Sequence, residues 1–80
     1  METWKHERRL SYLKNIDEIC SKDPMGLTIP MDIEDKMGLE PKVAQVMMNR
    51  LQVMGLLESP YRGCYRLTGN GRKMIREAGV

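Results

Sequence analysis

"GLEPKVAQVMMNRLQVMGLLE", residues 38–58, is the stretch from which the rest of the chain can be read. Residues 41–54 hold eight apolar side chains in fourteen and no Asp or Glu, in a chain that has eleven acids elsewhere. Pro41 suits the first turn of a helix, where its missing N–H costs nothing. Gly55 suits the stop, because glycine accepts the left-handed backbone that ends many helices. The spacing therefore predicts a helix over 41–54. At about 100° per residue, Val43, Ala44, Met47, Met48, Leu51 and Met54 share one broad arc, which is the expected core face. The opposite arc carries Lys42, Gln45, Asn49, Arg50 and Gln52, with Val46 and Val53 among them.

Working backward, "MDIEDKM" is a second, short helix started by Pro30 and closed by Gly38, with Ile33 and Met37 inward at i, i+4. "LTI", residues 27–29, is a short β-branched run that suits a single bridge. Pro24 and Gly26 break the chain before it. Residues 5–21 form a first helix with Leu10, Leu13, Ile16, Ile19 and Cys20 on one stripe, and Trp4 falls off it. Working forward, Leu56–Ser59 and Cys64–Thr68 flank the turn "PYRG", which predicts a β-hairpin with a four-residue loop. A closing helix is expected from about Asn70, with Met74 and Ile75 inward, although two glycines in its first turn weaken it.

The expected fold class is mainly α with one small β-hairpin, in a single domain over residues 1–80. The order is helix, short strand, helix, tight turn, helix, hairpin, short helix. That is the order of a winged helix-turn-helix: a three-helix core, a hairpin wing and a short closing helix. Three pieces resemble the small prokaryotic winged helix-turn-helix regulators. "LTIPMDIEDKMGL" is similar to the family's strand-then-helix opening. "EPKVAQVMMNRLQVMGLLE" is similar to its recognition helix. "GCYRLTGNGRKMI" is similar to its second wing strand and closing helix, with Tyr65, Leu67, Thr68, Gly71 and Arg72 in matching places. The resemblance covers about residues 8–77. It implies a DNA-binding transcriptional regulator. Family members often carry a polar or basic residue where this chain has Val46.

Charge agrees with an anionic partner for the second half. Residues 1–40 hold six Lys/Arg and nine Asp/Glu, a net of −3, whereas residues 41–80 hold seven and two, a net of +5. Amides suit base edges in the major groove, and an apolar group can meet a thymine methyl. Gln45, Val46 and Asn49 are therefore the expected base readers, and Lys42, Arg50 and Arg62 the expected phosphate contacts. Arg62 stands at the hairpin tip with Tyr61 beside it, where wing residues reach the backbone or the minor groove. Lys5, Arg8 and Arg9 are diluted by Glu2 and Glu7. Two other readings of the helix face stand beside this one: an ordinary solvated surface, and a protein-binding surface seeded by Val46 and Val53.

Nothing in the sequence supports an enzyme, a metal or a cofactor. His6 has no Cys or His at ligand spacing. Ser11, Ser21 and Ser59 have no placeable base. Asp32, Glu34 and Asp35 read as the polar face of a short helix, and "GNG" before Arg72 is too weak a pattern to imply an anion site. The expected partner is double-stranded DNA. A homodimer through the N-terminal helix, with Trp4 and Tyr12 at the interface, would let two copies read two half-sites. "METWKHERRL" has no apolar signal core, and no run approaches the length that spans a bilayer, so the expected setting is the cytoplasm, with Cys20 and Cys64 reduced.

Overall fold

The computed structural model describes the backbone of residues 2–78 and the side chains of residues 7–78. It has four helices and one hairpin: α1 Glu2–Lys22, α2 Pro30–Met37, α3 Val43–Val53, β1 Leu57–Tyr61, β2 Cys64–Leu67 and α4 Gly69–Ala78. One core joins all of them. It contains Tyr12, Leu13 and Ile16 of α1, Ile33 of α2, Ala44, Met48 and Leu51 of α3, and Leu56, Leu57, Tyr65 and Leu67 from the hairpin region.

α1 begins three residues earlier than the sequence pattern suggests. Tyr12 does not stand at an outer surface: it is only 1% exposed and packs in the core. The reason lies in helix geometry. Tyr12 is four residues from Ile16 and seven from Ile19, which puts it on the same face. Its assignment to a dimer interface is therefore corrected. The Trp4 side chain lies outside the described residues. After α1, the Asp23 carboxylate accepts the amides of Met25 at 2.9 Å and Leu27 at 3.1 Å, folding the breaker segment into a turn. Thr28 then exchanges two backbone hydrogen bonds with Tyr65, both 2.8 Å, which makes the expected one-bridge strand.

α2 keeps its expected bounds. Gly38 adopts the left-handed conformation, φ 67°, and the Leu39 amide donates back to the Glu34 carbonyl at 2.8 Å. α3 starts at Val43, two residues later than expected, because Lys42 itself turns left-handed at φ 73°. Lys42 gives no side-chain cap. Instead Glu34 of α2 reaches across and its carboxylate accepts the Ala44 amide at 3.2 Å. That bond satisfies a helix-start donor and puts negative charge at the positive end of α3. Ala44, Met48 and Leu51 are fully buried, as the wheel predicts, and Met47 packs at the edge of the core. Met54 departs from the expected core face and is exposed. The helix has ended by then, so a 100° step no longer places the side chain.

The hairpin is tighter than expected. Leu57 pairs with Leu67, Glu58 with Arg66 and Tyr61 with Cys64, with a bulge between Glu58 and Tyr61. The loop is therefore Arg62-Gly63 rather than the four residues of "PYRG", and Gly63 supplies the positive φ of 80° that it needs. Pro60, which cannot donate to a ladder, falls within the bulge. The Ser59 hydroxyl lies 2.8 Å from the carbonyls of both Tyr61 and Cys64 and steadies it. Thr68 leaves the strand and caps α4: its Oγ1 accepts the Gly71 amide at 3.1 Å and donates to the Gly55 carbonyl at 2.6 Å. Met74 and Ile75 then pack against the core.

Candidate functional site

Of the seven residues singled out by the sequence, five border two hollows, and Tyr61 and Arg62 stand at the hairpin tip. Lys42, Gln45 and Val46 line a shallow groove of about 660 Å³ with Ile29, Pro30, Met31, Glu34 and Gly63. Gly63 is the turn residue next to Arg62, so the hairpin tip and the first half of α3 border the same groove. Asn49 and Arg50 border a second hollow of about 400 Å³ with Val53 and Met54. Lys42, Val46, Asn49, Arg50, Tyr61 and Arg62 are exposed, and Gln45 is half-buried.

Three residues in this region form a closed polar ring. Gln45 Nε2 donates to the Tyr65 hydroxyl at 2.9 Å and to Asn49 Oδ1 at 3.3 Å. The Tyr65 hydroxyl donates in turn to Asn49 Oδ1 at 3.2 Å. The local fold accounts for the ring. Gln45 and Asn49 are one helical turn apart and so share a face. Tyr65 enters from β2, is only 5% exposed, and meets Gln45 and Asn49 with its hydroxyl. Sequence reasoning matched Tyr65 to a wing strand and missed this role. The available signal was a tyrosine on an inward strand position, since a buried tyrosine hydroxyl needs a partner at its edge.

The electrostatics of the region are mixed. Arg66 of the hairpin is paired with Glu58 at 2.6 Å, which neutralises the middle of the strands. Among the described residues no acid forms an ion pair with Lys42, Arg50 or Arg62. α3 itself bears no acid, but the groove does contain Glu34, contributed by α2. Its carboxylate is directed at the Ala44 amide. Exposed apolar side chains also border the groove: Met31 is 64% and Val46 54% exposed.

Both cysteines are free. Cys20 sits behind Tyr65, its thiol 3.9 Å from the Tyr65 carbonyl. Burial, reinforced by the nearby Asp17 and Asp23 carboxylates, pushes the Cys20 thiol up to about 11, so it stays protonated at neutral pH. Among the described residues no three His, Cys, Asp or Glu side chains gather as a metal site needs, and the His6 side chain lies outside those residues. No described helix is long and apolar enough to cross a membrane.

No protein-family model, curated protein or solved structure matches the chain.

Proposed function

We propose that this chain is a winged helix-turn-helix domain that binds double-stranded DNA as a transcriptional regulator, without a cofactor and without enzymatic activity, in the cytoplasm. α3 lies in the major groove, and the hairpin acts as the wing. Gln45, Val46 and Asn49 meet base edges. Lys42, Arg50 and Arg62 hold phosphates, with Tyr61 beside them.

The observation that carries this reading is the outward face of α3 with its N-cap, which combines three amides (Gln45, Asn49, Gln52), two valines (Val46, Val53) and two cations (Lys42, Arg50) with no acid, next to the hairpin turn that holds Arg62. A solvated face needs no such exclusion, whereas a face set against phosphates does. The bridge from Thr28 to β2 supports the fold reading, since it ties the strand before α2 to the hairpin after α3.

The test is selection of bound sequences from a random duplex pool, with affinity then followed against salt. The expected result is an enriched motif and an affinity that falls linearly on a log–log salt plot. Absence of duplex affinity at physiological salt overturns the reading. One observation favours a second reading, protein contact without DNA specificity. Val46 and Val53 are both exposed, Val53 at 89%, and the groove beside Val46 is largely apolar. Under that reading the same face recruits a protein and leaves duplexes alone.

A further inference from the structure

The ring of Gln45, Asn49 and Tyr65 uses one end of each amide and leaves the other. Both protons of Gln45 Nε2 are used, on the Tyr65 hydroxyl and on Asn49 Oδ1. The single hydroxyl proton of Tyr65 goes to Asn49 Oδ1. What remains is Gln45 Oε1, an acceptor, and Asn49 Nδ2, a donor. Exchanging oxygen and nitrogen on both amides gives a ring equally satisfied, and again leaves one acceptor and one donor. The outward pattern is therefore a property of the closed ring and holds whichever way the amides are set.

We infer that Tyr65 is a positioning residue that fixes this pair to read an A·T base pair. The inference rests on the DNA-binding reading above. In the major groove adenine shows an acceptor, N7, beside a donor, the N6 amino group, which matches one outward donor and one outward acceptor. Guanine shows two acceptors, N7 and O6, and would set one of them against the amide oxygen. Val46, next to Gln45 and exposed, adds an apolar contact of the kind a thymine methyl accepts. Tyr65 can hold the pair because it is itself held. Its ring is in the core, and its amide and carbonyl are bonded to Thr28 at 2.8 Å each. Without the hydroxyl, only the longer 3.3 Å Gln45–Asn49 bond couples the two amides, and each turns its other end to a base more readily.

The experiment uses the full chain and the duplex enriched from a random pool. Four probes are compared: the site itself, the site with one A·T pair changed to G·C, and the site with that adenine replaced by 7-deazaadenine, which lacks N7, or by purine, which lacks the amino group. The wild-type chain is expected to lose about five-fold or more on each altered probe at one pair. Tyr65→Phe, with its ring still packed, is expected to bind all four alike, while its affinity for an unrelated duplex and its salt slope stay as in wild type. Wild-type discrimination kept by a folded Tyr65→Phe overturns the inference, as does a G·C preference at that pair. Should Tyr65→Phe melt as an unfolded chain, the analogue duplexes on the wild-type protein decide, and tolerance of both overturns the inference. Duplex binding with the analogues tolerated sinks this inference alone. No salt-dependent affinity for any duplex sinks the DNA reading with it.

Discussion

Gly71 lies against the backbone of Leu56 so closely that a Cβ on Gly71 would overlap the Leu56 carbonyl oxygen and come within 3.1 Å of Leu67 Cδ2. The same carbonyl accepts the Thr68 amide at 3.1 Å, so it has little room to move. Gly71→Ala should therefore cost about 1–3 kcal/mol, the usual range for overpacking. Gly69, two residues earlier in α4, has open space around it. Gly69→Ala should be neutral or slightly stabilising. Urea melts of the two variants check the contrast, and equal losses would mean that helix propensity rather than packing governs the site.

The cap that Glu34 provides to α3 is a bond between two helices, and its loss should be measurable. Glu34→Ala should destabilise the fold by about 0.5–2 kcal/mol, as loss of a helix N-cap does. Asp35→Ala on the exposed side of the same helix serves as the control. If the two variants melt alike, the Ala44 amide does not depend on Glu34.

Leu51 tests the core face of α3. It is fully buried between the helices and the hairpin. Leu51→Ala should cost about 2–5 kcal/mol. A loss below about 0.5 kcal/mol in denaturant melts would not fit a site at the centre of the core.

The parts of the fold legible in the sequence were those where one local rule decides. Pro30 and Gly38 bound α2 as read, and the 100° spacing put Ala44, Met48 and Leu51 inward. What was not legible depended on partners distant in sequence. The start of α3 moved because Glu34 caps it from another helix and Lys42 turns left-handed. The hairpin loop shrank because Ser59 and the bulge absorb Pro60 within the strand. Gly71 looked like a weakness of α4, and only its approach to Leu56 gives it a purpose. In the candidate site, the residues of α3 could be chosen from one helix wheel. Tyr65 could not, because it lies sixteen residues beyond Asn49 and meets it only through the hairpin.

Tyr12 yields a prediction with an unusual sign. Its hydroxyl is buried and has no hydrogen-bond partner among the described residues. An unsatisfied buried hydroxyl is costly, so Tyr12→Phe should raise stability by about 1 kcal/mol. It should also leave the sedimentation behaviour unchanged at high micromolar concentration, because a core residue does not form an interface. A shift in association state on Tyr12→Phe would restore the interface role that burial argues against. The homodimer expected from the sequence through the N-terminal helix is checked in the same runs: a wild-type chain that sediments as monomer with and without DNA removes it.

The outward face of α3 and the hairpin tip should respond differently to substitution. Arg62, exposed at the turn, should act on phosphates. Arg62→Ala should weaken binding to all duplexes alike and lower the salt slope by about one unit. Asn49→Ala should instead cost about 1–3 kcal/mol on the preferred site and relax the choice at one base pair. Val46 gives the sharpest contrast. It is more than half exposed, so Val46→Glu should leave the melting curve where it was, yet put an acid on a face that has none. Against phosphates that charge is repulsive, and duplex binding should be lost. If the face recruits a protein, the wild type has little duplex affinity to lose, and Val46→Glu shows only as a failed pull-down. A folded Val46→Glu that binds duplex DNA as the wild type does would take α3 out of the major groove.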